Sequence, residues 1–186
     1  MIALASNIVS HEPLARRPVL ALVPARGGSK GIVRKNLALL RGKPLIEFTV
    51  RAALNAVGVT EAWVSSDDEE VLVFATAWGA QALRRPAALA TDEASAVGVV
   101  EHFLSSLPGH VLAADPQVLY LQPTSPLRTA HHIDDALAGM ARAGATSVMS
   151  VVEMAQSPFK AFRLDAQGRL FSLFDERQSN MRRQDL

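Results

Sequence analysis

Short apolar runs alternate with segments of helical period along most of the chain. Pro18-Val-Leu-Ala-Leu-Val-Pro24 is apolar throughout and bounded by prolines, the pattern of a strand buried on both faces. Behind it, Leu45, Phe48, Ala52 and Ala56 recur at helical spacing. Pro44 suits the first helical position and Gly58 the end of that helix. Ala62–Ser66 reads as a second strand. Asp67 or Asp68 then caps a helix with Glu69 and Glu70 in its first turn, Val71, Phe74, Ala75 and Trp78 as its apolar stripe, and Gly79 at its close. Gln81–Leu83 is a third strand, and Thr91 or Asp92 opens a helix that turns Val97, Val100 and Leu104 inward. Val118–Leu121 is a fourth strand. Thr129 caps a helix carrying Ile133, Ala136, Leu137 and Met140 as far as Gly144, and Ser147–Val152 is a fifth strand. Past Pro158 the alternation stops. Ala161–Leu164 and Arg169–Phe171 flank Asp165–Gly168 as a hairpin, and Asp175–Leu186 is polar and aperiodic.

Strand and helix taking turns in this way call for right-handed crossovers and a mostly parallel sheet with helices on both faces, an α/β class. Residues 1–18 have no period and read as a flexible leader, with one domain over residues 19–186. The composition agrees. Of the 186 residues, 49% are hydrophobic and only 5% aromatic, which suits Ala- and Val-rich layers on a buried parallel sheet. The absence of Cys excludes a disulfide framework and thiolate chemistry. No apolar run has the ~20 residues of a membrane span, and the N-terminus lacks the order of a signal peptide, so the expectation is a cytoplasmic protein with no membrane partner.

The net charge of +1 points to no nucleic-acid partner. Its distribution says more. Between Pro13 and Ile46 there are eight cations (Arg16, Arg17, Arg26, Lys30, Arg34, Lys35, Arg41, Lys43) and no acid. Such a local field is either a solvated basic face or the site of a small anion. Four polar clusters follow strands, where ligands of open α/β sheets bind. They are Arg26–Gly31, then Asp67 and Asp68, then Arg84 and Arg85, then Gln122–Arg128. In the first, glycines let backbone N–H groups approach an anion, while Arg26 offers a planar fork and Lys30 a point charge, a pair suited to a triphosphate. The loop has neither the Walker A nor the dinucleotide spacing. Asp67 and Asp68 serve equally as helix caps or, for one of them, as a ligand to a hard divalent ion. Arg84 and Arg85 could simply face solvent, and His131 and His132 read as surface. Trp63, Phe74 and Trp78 read as core.

Taken together, Val23-Pro-Ala-Arg-Gly-Gly-Ser-Lys-Gly31 with Lys35-Asn36-Leu37, Val64-Ser-Ser-Asp67, Arg85-Pro-Ala-Ala-Leu-Ala-Thr-Asp92 with Ser95, Leu121-Gln-Pro-Thr-Ser-Pro-Leu-Arg128 and Arg182-Arg-Gln-Asp-Leu186 resemble the acylneuraminate cytidylyltransferases, the CMP-sialic acid synthetases, with CMP-Kdo synthetases as more distant relatives. The resemblance implies a Rossmann-like, three-layer nucleotidyltransferase fold, usually a homodimer. It implies that CTP and an acylneuraminate give the CMP-sugar and pyrophosphate with help from Mg²⁺ or Mn²⁺. It places Arg26 and Lys30 in the catalytic role of gripping the phosphates. It puts Ala25, Gly27, Ser29, Asn36, Arg85 and Ser95 against CTP, and Gln122, Lys160 and Arg183 near the sugar acid, with Asp67 as a metal ligand. Relatives continue past the Arg-Gln segment into a further strand, a dimerisation region and an acidic metal-binding pair. The sequence stops at Leu186, within that pattern and short of the C-terminal part of the fold; if no residues follow it in the protein, the expectation is weak or absent catalysis despite a formed nucleotide pocket. The rival expectations are a cytidylyltransferase for legionaminic, pseudaminic or Kdo sugars and a non-catalytic nucleotide-binding module of the same fold.

Overall fold

Val19–Pro24 forms β1, with its first five residues buried. The computed structural model describes residues 17–29, 31–152, 157–174 and 177, so the expected leader lies outside the described residues except for Arg17 and Pro18. Those two are tied down. The Arg17 guanidinium donates to the Asp115 carbonyl at 2.6 Å and pairs with its carboxylate at 2.9 Å, and the Pro18 carbonyl accepts from the Gln117 N–H. The chain divides into two compact units, Met1–Val148 and Met149–Leu186.

In the first unit, a small antiparallel ribbon, β2 (Leu39–Leu40) with β3 (Lys43–Pro44), follows the loop after β1. Then come α1 (Leu45–Asn55), β4 (Glu61–Ser66), α2 (Glu69–Ala77), β5 (Gln81–Arg84), α3 (Ala96–Ser106), the short α4 (Gly109–Ala113), β6 (Gln117–Tyr120) and α5 (Ala130–Arg142). The four long strands form one parallel sheet in the order β5-β4-β1-β6. β1 is central and pairs on both sides, which is why its sequence is apolar at every position instead of alternating.

The pleat sends alternate residues to two separate cores. Ala21, Val23 and Val64 meet Ile46, Val50 and Ala53 of α1, Val71 and Ala75 of α2, and Ile133 of α5. On the other face Leu20 and Leu22 meet Val99 and Phe103 of α3, with Trp63 of β4 packed edge-on against Phe103 at 5.6 Å. The result is the expected mostly parallel sheet between two helical layers. Small Ala side chains on α1 and α2 let that layer sit close to the sheet.

Several boundaries differ from the sequence pattern, each for a local reason. Pro44 is the N-cap of α1, held in the β2–β3 ribbon, not its first helical residue. The helix ends at Asn55 instead of reaching Gly58, because Asp134 of α5 captures the N–H groups of Val57 and Gly58 at 3.1 and 2.8 Å. α3 does not start at Thr91 or Asp92. Its N-cap is Ser95, whose hydroxyl accepts from the Gly98 N–H at 3.0 Å. Of the residues expected inward, Val100 and Leu104 pack against the core beside the buried Val99 and Phe103, while Val97, in the first turn, is 65% exposed. Residues 147–152 form no strand. Val148, Met149, Val151 and Val152 are exposed, and β propensity without a ladder partner does not hold an extended chain.

In the second unit, a 3₁₀ turn at Pro158–Lys160 leads into the expected hairpin of β7 (Phe162–Leu164) and β8 (Leu170–Ser172). Asp165 organises its turn by accepting from the N–H groups of Gln167 and Arg169 and from the Arg169 guanidinium, all at 2.8–2.9 Å. Gly168 takes the left-handed conformation, φ +76°, that closes it.

Candidate functional site

The chain moves outward from β1 to β4 to β5 and then returns to place β6 on the other side of β1. The strand order therefore reverses between β1 and β6, and the crevice beyond their carboxyl ends is where an open α/β sheet receives a ligand. Four loops meet at this rim, those after β1, β4, β5 and β6, as the positions of the four polar clusters predicted.

The loop after β1 begins with Ala25, fully buried, its N–H donated to the Ser65 carbonyl at 2.9 Å. Only its carbonyl remains for a ligand. Gly27 approaches the β4–α2 loop so closely that a Cβ would lie 3.0 Å from the Asp68 Cβ, and its N–H donates to Asp67 Oδ1 at 2.9 Å. Gly28 is different. It has open space where a Cβ would stand and no left-handed φ, so nothing inside the protein calls for glycine there. A bare backbone facing a crevice is what close approach of a ligand requires. Ser29 is half-buried in the same loop, and Lys30 lies outside the described residues.

Asn36, only 7% exposed, donates its side-chain N–H to the Arg26 carbonyl at 2.9 Å and so fixes the backbone under Arg26. The Arg26 guanidinium reaches across to Asp92, Nη2 to Oδ1 2.5 Å. Arg34, at a left-handed φ of 50°, pairs with Asp68 at 3.0 Å and Glu70 at 2.8 Å, pinning the far side of the loop to α2.

The two adjacent aspartates divide the roles that their sequence left open. Asp68 caps α2, accepting from the Glu70 N–H at 2.9 Å. Burial disfavours its charge, but the Arg34 guanidinium and the N–H groups of Glu70 and Val71 outweigh that and hold its carboxyl below the usual carboxylate range. Asp67 is the one whose carboxylate accepts from the Gly27 N–H. The adjacent arginines also separate. Arg84 is exposed and pairs with Glu69. Arg85 is 6% exposed, and its guanidinium donates to the Ser65 hydroxyl at 3.0 Å and the Ser65 and Leu89 carbonyls at 2.5 and 3.5 Å. Desolvation lowers its pKa, opposed by the Tyr120 and Asp67 side chains and reinforced by the charge of Arg26. None of the three acceptors is a carboxylate, so the Arg85 charge adds to that of Arg26 at the floor of the crevice.

On the β6 side, Gln122 is exposed and its carbonyl accepts from Arg128 at 3.3 Å. Thr129 caps α5 as expected, and His132 completes a reciprocal capping box. Ser95 caps α3 with its hydroxyl and is solvent-exposed. Lys160 belongs to the second unit, and Arg183 lies outside the described residues. The structure thus gathers Ala25, Arg26, Gly27, Asn36, Asp67 and Arg85 into one hydrogen-bonded neighbourhood. Asp92, Arg34 and Ser65 belong to it too, though the strand-end pattern gave no sign of them. Asp92 fell inside a segment read as a helix start, Arg34 acts through the head of α2, and Ser65 acts through contacts with the loops after the neighbouring strands.

Among the described residues no group of three or more His, Asp or Glu could hold a metal ion. Asp67 offers a single carboxylate, one oxygen of which is engaged by Gly27. That suits a magnesium ion which takes one protein carboxylate and completes its shell with water and substrate phosphates. Among the described residues no helix is long and apolar enough to cross a membrane.

The sequence model of the family described as Cytidylyltransferase matches residues 20–184. The N-acylneuraminate cytidylyltransferase of Oncorhynchus mykiss is 36% identical over 137 residues, covering 74% of this chain and 31% of that protein. A pseudaminic acid cytidylyltransferase of Campylobacter jejuni is 34% identical over 168 residues, covering 90% of this chain and 72% of that protein. A solved structure described as CMP:2-keto-3-deoxy-manno-octonic acid synthetase complexed with CTP superposes with a TM-score of 0.53 at 25% identity, over 69% of this chain and 49% of that one. The chain thus spans about a third of the length of the Oncorhynchus relative.

Proposed function

Because the chain belongs to the cytidylyltransferase family, we propose that it activates a nonulosonic acid of the sialic type, converting CTP and the sugar acid into the CMP-sugar and pyrophosphate. One observation carries the reading. Two guanidiniums, one of them buried and free of carboxylate hydrogen bonds, sit beside a glycine loop at the carboxyl ends of β1 and β4. The anomeric hydroxyl of the sugar attacks the α-phosphorus, the bond from that phosphorus to the bridging oxygen breaks, and the hydroxyl proton passes to solvent. The protein's part is positioning and charge stabilisation. Negative charge grows on the departing pyrophosphate, where Arg26 opposes it from a backbone held by Asn36, with Lys30 as its partner. Ser29 lines the phosphates through its backbone, Gly27 does so when its N–H leaves Asp67, and Ala25 offers its carbonyl to a donor of the nucleotide. The family resemblance assigns Arg85, Asn36 and Ser95 to the cytidine and Gln122, Lys160 and Arg183 to the sugar acid. Asp67 would hold a Mg²⁺ or Mn²⁺ ion, which when bound shares the charge of the phosphates. The working protein is a cytoplasmic homodimer.

The pseudaminic acid relative matches over nine-tenths of this chain and most of its own length. That favours, as a second reading, the same chemistry on a pseudaminic-type acid. Pyrophosphate release from CTP with N-acetylneuraminic, pseudaminic, legionaminic and Kdo acids in turn separates the two, and release with none of them sinks both. In an active protein Arg26→Ala should cut turnover by roughly 10²–10³, the usual effect of losing one such donor. A variant within threefold of wild type removes Arg26 from the phosphate grip.

A further inference from the structure

Arg26 is not idle in the free protein. Its guanidinium holds the Asp92 carboxylate at 2.5 Å, and both side chains remain about one-third exposed, 33% and 39%. Arg26 stands on the loop after β1, and Asp92 stands on the segment between the 3₁₀ turn Ala87–Leu89 and the cap of α3. In the sheet β4 lies between β1 and β5, so the pair spans the carboxyl end of β4, where Ser65 and the buried Arg85 guanidinium form the floor. A second carboxylate, Asp67, takes the Gly27 N–H in the same loop. Both donors are thus already satisfied by carboxylate oxygens of the chain itself, the same class of anionic acceptor as a phosphate oxygen.

We infer that Asp92 is a positioning residue of the nucleotide site, its carboxylate holding Arg26 in the free protein and giving way to phosphate oxygens when a triphosphate binds. This rests on the reading that Arg26 receives the phosphates. Binding is then an exchange of anions on one guanidinium. The device keeps Arg26 extended over the floor without ligand, and it sets a threshold. Phosphates that take Arg26 must displace the carboxylate, whereas a nucleoside has none to offer and leaves the pair intact. A half-exposed ion pair contributes roughly two- to fivefold in an equilibrium constant, and the threshold has that size.

The test measures binding of CTP, inorganic triphosphate and cytidine to the wild type, Asp92→Asn, Asp92→Ser, Arg26→Ala and the Asp92→Asn/Arg26→Ala double variant, with thermal unfolding of each as a folding control. The expected result is that both Asp92 variants bind CTP and inorganic triphosphate two- to fivefold tighter and cytidine unchanged. The gain should vanish in the Arg26→Ala background, as pairwise coupling demands. In turnover, KM for CTP falls while kcat stays within twofold. Weaker or unaltered triphosphate binding in the Asp92 variants overturns the inference, as does a gain that persists without Arg26, or a lack of triphosphate binding to every form. Tighter triphosphate binding without pyrophosphate release from CTP would leave the exchange standing and remove the proposed reaction instead.

Discussion

Asn36 offers a direct measure of how rigidly the phosphate loop is built. Its side-chain N–H donates to the Arg26 carbonyl at 2.9 Å, with the residue only 7% exposed. Asn36→Ala removes that hydrogen bond and leaves the Arg26 carbonyl unpaired, but the space the side chain vacates admits water to it, so the cost stays near the low end, about 1 kcal/mol. Asn36→Asp preserves the shape but replaces the donor by a carboxylate oxygen facing a carbonyl oxygen. The orphaned carbonyl alone costs about 1–3 kcal/mol, and the buried charge adds to it, so roughly 2–4 kcal/mol is lost at pH 8. For a chain of this size 1 kcal/mol moves the melting temperature by about 2–4 °C. The expected fall is therefore roughly 5–12 °C for Asp and about 3 °C for Ala.

The pH dependence supplies the sign. A proton on the new carboxyl restores a donor toward Arg26, so its folded pKa lies above the unfolded value of about 3.9. The fold then favours the protonated form, and stability present at low pH is lost as pH rises through the folded pKa. The deficit of Asn36→Asp relative to wild type should shrink from pH 8 to pH 5. Thermal unfolding by circular dichroism at the two pH values decides the matter. An Asp variant melting within 1 °C of wild type at pH 8, or a deficit equal at both pH values, would refute the role of Asn36 as the support of Arg26.

Three further outcomes follow from the same geometry. Asp134→Ala frees the N–H groups of Val57 and Gly58 and should cost about 1–3 kcal/mol, seen in urea unfolding with CTP affinity unchanged; a loss under 0.3 kcal/mol would show that α5 does not hold the α1–β4 turn. Asp68 has its pKa held down, so its contribution is present above the unfolded value of about 3.9 and disappears as pH falls through the lower folded one. The stability gap between wild type and Asp68→Asn should therefore close between pH 5 and pH 3, and a gap independent of pH would contradict it. Thr129→Ala removes one half of the capping box with His132 and should cost about 1 kcal/mol, readable as a lower urea midpoint with an unchanged slope.

Periodicity alone was enough to foresee the parallel sheet, the four main helices around it and the rim on which the polar loops gather. A β1 apolar at every position has to be central, because only a strand covered on both faces can afford no polar residue. Thr129 at the head of α5 was legible for the same reason, since an N-cap is a contact between residues two or three apart. What could not be read are the choices between equivalent neighbours. Nothing local tells Asp67 from Asp68 or Arg84 from Arg85. The Gly27 N–H selects Asp67 and the Ser65 hydroxyl selects Arg85, and these partners stand 40 and 20 residues away in the chain. Thr91 and Asp92 carry as good a cap signal as Ser95, yet Asp92 is drawn to Arg26, 66 residues earlier in the chain, and the helix waits for Ser95. Residues 147–152 have the composition of a strand, but a strand exists only through a neighbour, and none pairs with it among the described residues. Short-range contacts write themselves into sequence period, whereas an ion pair or a ladder depends on where two distant segments meet.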